Sequence, residues 1–213
     1  MKEDALGAPG GETERMPRLV RTEAYLSALP GGLSAYPECQ AKGVLVRMLA
    51  SEEAYASAAP GLPPDLRALV EEPPMGSEWI PEVHLQALLY AFADAVGQDD
   101  EALLAAVRPR DRQMFESPAY RILMATPSPA ALLRGADLRW ANWHRGSTLE
   151  VEGIADDGVR LALRFPRGLF DGLQLRVVAE SFLGALDLTG ARSPRAEIFQ
   201  AGPGFARYKV AWE

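Results

Sequence analysis

Between residues 146 and 212 the spacing of apolar side chains changes from alternating to helical and back to alternating. In Val159-Arg160-Leu161-Ala162-Leu163-Arg164-Phe165 the large apolar residues take every second position and the arginines fall between them. That is the pattern of an antiparallel strand with one face in a core and one in water. Residues 148–152 alternate in the same way, and Asp156-Asp157-Gly158 joins the two runs as a hairpin turn. After the break at Pro166-Arg167-Gly168, Phe170, Leu173, Val177, Val178, Phe182, Leu183 and Leu186 recur at three and four residues, which predicts a helix ending near Gly190. Two further alternating runs, 195–200 and 205–212, flank Gly202-Pro203-Gly204. The predicted order is strand, strand, helix, strand, strand.

Upstream the pattern is helical. From Pro37, the residues Ala41, Val44, Leu45, Met48 and Leu49 fall near one face, with Gly43 leaving room for a close neighbour. Ser51-Glu52-Glu53 opens a second piece, and Pro63-Pro64-Asp65 a third that runs to about Glu71. Ser77 is the expected cap of the longest helix, with Pro81 in its first turn and a stripe drawn from Leu85, Leu88, Leu89, Phe92 and Val96. Gly97 stops it, and Asp99-Asp100-Glu101 start the next, from 102 to about 108 or beyond. Ser117 and Ser128 begin two more, about six helices in all, while residues 19–33 predict a short strand or turn. Residues 1–17 hold clustered glycines and few large apolar groups, so they are expected to form a disordered tail. The fold class expected is α+β, with an N-terminal helical layer packed on a C-terminal antiparallel sheet of ββαββ order. It forms a single domain over 18–213, with the helical part at 37–134 and the ββαββ part at 138–213.

Length and composition suit this reading: 213 residues, 48% hydrophobic and 24% charged, are enough for one sizeable core. The formal charge of −7 is uneven, because residues 1–133 carry 11 Lys+Arg against 19 Asp+Glu and the remainder 11 against 10. No basic face is concentrated anywhere, which argues against nucleic acid as the partner. The single cysteine, Cys39, makes no internal disulfide, and no charged-then-apolar leader opens the sequence, so a cytoplasmic location is expected. No run approaches the roughly 18 apolar residues that would span a bilayer.

Candidate chemistry is sparse. There is no Gly-rich loop ending in Lys-Ser/Thr, no Gly-x-Ser-x-Gly elbow and no pair of cysteines for zinc. His84 has no second ligand three or four residues away, and His144 stands alone beside Trp140, Trp143 and Arg145. Cys39, read near the start of a helix where a thiolate is favoured, lacks a base close in sequence. The run Arg108-Pro109-Arg110-Asp111-Arg112 could recognise a carboxylate or phosphate but reads more simply as a solvated loop. Catalysis and metal binding are therefore not expected.

The segment from Phe165 to Trp212 resembles a known arrangement. Phe165-Pro166-Arg167-Gly168-Leu169-Phe170-Asp171-Gly172, Phe182-Leu183-Gly184-Ala185-Leu186, Gly190-Ala191 and the closing Tyr208-Lys209-Val210-Ala211-Trp212 are similar to a particular superfamily. It contains 4-vinyl-reductase-type ligand-sensing domains, haem nitric-oxide-binding domains and small subunits of the Golgi transport complex. With Lys42-Gly43 included, about four-fifths of the sequence resembles an uncharacterised paralogous family of myxobacterial proteins of roughly this length. The resemblance implies a helical layer on an antiparallel sheet and, in several relatives, a buried pocket for a small apolar molecule or haem. The haem-binding branch carries Tyr-x-Ser-x-Arg where this sequence has Leu163-Arg164-Phe165-Pro166-Arg167, so binding without haem, metal or other cofactor is the expectation.

A non-enzymatic sensor or regulatory domain follows, holding a small apolar ligand between the helical layer and the sheet. The expected lining is Trp79, His84, Trp140, Trp143, His144, Phe165 and Phe182, an aromatic-rich set beside a two-faced sheet. The alternative is an assembly module acting through a helix face or an edge strand, as a homodimer or with a protein partner. There the last strand, 205–212, is the expected open edge. A haem sensor built on His84 or His144 is the third reading.

Overall fold

The structure, a computed structural model, describes residues 18–50, 59–126 and 128–213. The expected tail over 1–17 and the start at Ser51-Glu52-Glu53 lie outside the described residues. The C-terminal unit follows its alternation: β4 (Thr148–Ala155), β5 (Gly158–Arg164), α9 (Gly172–Leu186), β6 (Arg195–Gly202) and β7 (Phe205–Ala211). The strands form an antiparallel sheet in the order β4-β5-β7-β6. Leu161 and Leu163 on β5 and Ala206, Tyr208 and Val210 on β7 are fully buried on one face. Asp171 caps α9 reciprocally with Gln174, fixing where the helix starts. Tyr208 then donates its hydroxyl to the Leu175 carbonyl at 3.2 Å and meets the Phe182 ring edge-on at 5.2 Å. Together these pin α9 across β7.

The expected open edge is corrected by this order. β7 lies inside the sheet between β5 and β6, because the hairpin at Gly202-Pro203-Gly204 returns the chain inward against β5. The outermost strands, β4 and β6, each carry a bulge, at Glu152 and Phe199, which interrupts the regular ladder that another strand would need.

The helical half contains more than the sequence pattern predicts. Residues expected as a strand or turn form α1 (Val20–Ala28), which packs on the longest apolar helix. The helix expected from Pro37 begins only at α2 (Gly43–Ala50), since Gln40–Lys42 is a strand, β1. Ser77 does not cap the apolar helix either: Trp79–Pro81 forms β2 and α4 (Glu82–Val96) starts after Pro81. β1 lies between β2 and the two-residue β3 (His144–Arg145) in a small second sheet. Three-residue strands are too short to show a period of two, so the flanking helical pattern hid them.

α3 (Pro64–Glu71) precedes β2, and between β2 and the large sheet run α4, α5 (Asp100–Glu116), α6 (Arg121–Met124), α7 (Pro129–Arg134) and α8 (Ala136–Trp143). α5 continues through Pro109, whose missing N–H falls on an exposed side. Gly184 lets α9 approach it closely, because a Cβ there would stand 3.0 Å from the Arg108 carbonyl oxygen and 3.4 Å from Asp111 Cβ. Arg108 closes the contact with two bonds to Asp187, at 2.8 and 2.6 Å. None of the helices among the described residues is long and apolar enough to cross a membrane.

Gly43 does leave room for a neighbour. A Cβ on it would stand 2.4 Å from the Met75 carbonyl oxygen and 3.1 Å from the Pro74 ring. Gly43→Ala should destabilise the fold by roughly 1–3 kcal/mol, against the stabilisation of about 0.4–1 kcal/mol usual for this change at an unstrained helical site. Urea unfolding of both proteins checks it, and a higher midpoint for the variant would refute the close packing.

Candidate functional site

A cavity of about 170 Å³, open to solvent, lies among the helices. α2 and α4 form one wall, α5 and α9 a second, and α7 with α8 the third. The large sheet contributes Leu149. The site therefore lies within the helical layer and against α9, not directly on the sheet. The physical reason is that the sheet's inner face is already covered, by α7 and α8 over β4 and by α9 over β6 and β7.

Glu82 sets the geometry of the third wall. It is fully buried at the first turn of α4, where its Oε1 accepts a bond from Gln86 Nε2 at 2.7 Å and its Oε2 meets His144 Nδ1 at 2.8 Å. A carboxylate only accepts, so the imidazole carries its proton on Nδ1. Trp140 stacks on His144 with centroids 4.0 Å apart and 20° between planes, and donates its indole N–H to Ser147 Oγ at 3.0 Å. Trp143, one turn on, packs against Phe115 at 5.4 Å and Tyr120 at 5.7 Å.

Of the seven residues expected to line the site, Trp140, Trp143, His144 and Phe182 lie in the cavity wall. The other three do not. Trp79 sits in β2 with Lys42 Nζ 4.2 Å and the Arg145 guanidinium 3.8 Å from its ring centre, outside the cavity. His84 turns toward α3 and the turn at Leu33. Burial pushes its imidazole below the ordinary value, opposed by Asp65 and a hydrogen bond to the Leu33 backbone. Phe165 is buried edge-on against Phe170 at 5.1 Å, so its neighbour is the one that reaches the wall.

Cys39 is also reassigned. It precedes β1 and not a helix, its thiol donates to the Gly146 carbonyl at 3.4 Å, and burial, with Glu38 and Glu82 adding to it, pushes it up to about 11. That is the opposite of an activated nucleophile. Among the described residues no group of three or more His, Cys, Asp or Glu side chains could hold a metal.

The residue that the sequence concealed is Asp111. The Arg108-Pro109-Arg110-Asp111-Arg112 run is helical, not a loop. In it Arg108 points to Asp187 and Arg112 to Glu116, and Asp111 lines the cavity. Burial raises its carboxyl to about 6, opposed by the neighbouring Ser181 hydroxyl and by the nearby basic groups Arg110 and His144. No local signal separated it from its charged neighbours. Only the four-residue step from Val107 to Asp111 and on to Phe115, all in the wall, would have placed it.

No protein-family model and no curated protein matches this sequence. Among solved structures it is similar in fold to H-NOX domains. The Fe(II) unliganded H-NOX protein from K. algicida superposes with a TM-score of 0.58 over 81% of this chain and 96% of that one, at 8% identity. An oxygen-binding H-NOX domain related to soluble guanylate cyclases, solved as its oxygen complex, gives 0.55 at 14% identity, covering 80% and 92%. A third H-NOX structure, from a study of H-NOX activation, gives 0.58 at 12% identity, covering 80% and 94%. At such identities the shared property is the fold.

Haem can be tested against the residues present. His144 keeps Nε2 as a potential axial donor, and a carboxylate behind the other nitrogen is how such a ligand is usually oriented. The positions of the Tyr-x-Ser-x-Arg pattern fail, however: Leu163 is fully buried in the sheet, Phe165 packs on Phe170, Arg167 is exposed, and none of the three lines the cavity. The residues at the pattern's positions therefore offer no polar contact to a group held in the cavity.

Asp111 gives a stability prediction. Its folded value lies above its unfolded one, so the native state binds the extra proton between about pH 4 and 6. Asp111 therefore costs nothing below about pH 4, and its penalty grows to a plateau of roughly 1–3 kcal/mol above about pH 6. Asp111→Asn should raise the urea midpoint at pH 8 and leave it unchanged near pH 4. An equal gain at both would show that charge burial is not the cause.

Proposed function

We propose that this chain is a non-enzymatic sensor or regulatory domain that takes up a small, largely apolar molecule in the cavity bounded by α2, α4, α5, α8 and α9. The observation that carries the reading is the cavity itself, whose walls are apolar and aromatic around a few placed polar groups, as in small-molecule sites generally. Three methionines, Met48, Met114 and Met124, stand in its wall and can adapt to more than one shape. The fold adds support, since H-NOX proteins of the same architecture include one solved with bound oxygen. Occupancy would reach the rest of the molecule through His144, which belongs both to the wall and to β3. A second copy or another protein would read the change.

The neutral apolar dye N-phenyl-1-naphthylamine tests this. Its fluorescence should rise to saturation at one dye per chain, and Val178→Phe or Ala136→Leu, which fill the cavity, should each weaken binding by about tenfold or more while the circular dichroism spectrum is kept. Saturable binding indifferent to both variants would place the dye elsewhere and end the proposal. Haemin added to the same protein should give no stoichiometric Soret band. A one-to-one band abolished by His144→Ala would replace this reading with a haem sensor.

A further inference from the structure

We infer that the molecule taken up by this cavity carries a protonated amine, which Asp111 receives. This deepens the reading above and rests on it. The basis is how the charged side chains in the wall are occupied. Arg139 lies back over Gly135, where a Cβ would stand 2.5 Å from its Nη1, and that nitrogen donates to the Leu132 and Gly135 carbonyls at 3.0 and 3.1 Å. It caps the C-terminus of α7. Arg110 holds its guanidinium 5.8 Å from the centre of the Phe92 ring. His144 is tied to Glu82 at 2.8 Å.

Asp111 differs from all of these. It makes no ion pair among the described residues, the Ser181 hydroxyl beside it donates to the Val177 carbonyl at 3.1 Å, and the basic groups Arg110 and His144 act on it through space. Surrounded by protein, it keeps part of its surface open where it lines the cavity. A carboxyl held this way has accepting capacity unspent, and burial has already raised its proton affinity. A donor arriving with a positive charge relieves that cost, whereas a neutral donor relieves less and an anion adds to it.

The walls agree. Phe115, Trp140, Trp143, Phe170 and Phe182 surround the same space, and aromatic faces attract cations while rejecting anions. An aryl or alkyl amine combines an apolar body for these rings with a charged end for Asp111.

Three probes of one shape separate the outcomes: 4-phenylbutylamine, 4-phenylbutanol and 4-phenylbutyrate, titrated calorimetrically into the full chain at pH 7.5. The amine should bind at least about tenfold more tightly than the alcohol, with the acid weakest. Asp111→Asn should erase the amine's advantage and leave the alcohol within about twofold. Equal affinity of amine and alcohol for the unsubstituted protein overturns the inference, as does an amine preference that survives Asp111→Asn; in either case the cavity still binds. Binding of none of the three overturns the cavity reading and this inference with it. Amine binding unchanged in Val178→Phe places the amine outside the cavity and overturns the inference as well.

Discussion

Glu82 has no contact with solvent, and an isolated carboxylate in that position would cost several kcal/mol. Everything around the site is arranged so that it is not isolated. Its backbone N–H donates to the Cys39 carbonyl at 2.9 Å, one oxygen accepts from Gln86, and the other holds His144. The residue ahead of β1, the start of α4 and the corner where α8 becomes β3 are thus fixed to one residue. Cys39 is packed so closely there that a Cβ on Gly146 would meet its sulfur at 2.7 Å, and Gly146 takes a positive φ of 73°. Because His144 cannot shift without breaking that pair, the Trp140 ring stacked on it is set as well. The aromatic wall of the cavity depends on a buried charge that does not itself line the cavity.

A cavity survives beside so tight a junction because two covers share one sheet. α9 covers β6 and β7, while α7 and α8 lean on β4 and β5. The first cover is drawn toward α5 by Gly184 and the Arg108–Asp187 pair, and the second toward α4 by His144 and Glu82. Two covers pulled to different anchors leave space between them, and the apolar side chains around it have no opposite atoms to touch. That loss is the usual price of a site that holds something else.

Much of the fold could be read from the sequence where the pattern was long. The alternation of β5 and the Asp156-Asp157-Gly158 turn fix the first hairpin, and the spacing from Phe170 to Leu186 fixes α9. What escaped was short or long-range. β1 and β2 have three residues each and are strands only because they pair with one another, at Ala41 and Ile80. The position of β7 between β5 and β6 is set by pairing that no local pattern encodes. In the site, the residues that were legible were the aromatics of α8 and α9, because ring size and clustering already mark a wall. Asp111 was not, since one carboxylate among three arginines looks solvated until the helix phase shows which way it turns.

Fold and chemistry separate cleanly in this molecule. The architecture is shared with H-NOX structures at 8% to 14% identity, so it requires only a pattern of apolar positions and a few close glycine contacts. The residues at Leu163 and Phe165 illustrate the consequence. Both side chains belong to the core, at full and near-full burial, and neither lines the cavity. Once those positions serve packing, polar recognition has to come from elsewhere in the wall. The face of α5 that carries Val107, Asp111 and Phe115 is where a carboxyl meets the open space. The polar groups of the wall can therefore change without disturbing the sheet, because the sheet's core positions and the cavity's polar positions lie on different elements.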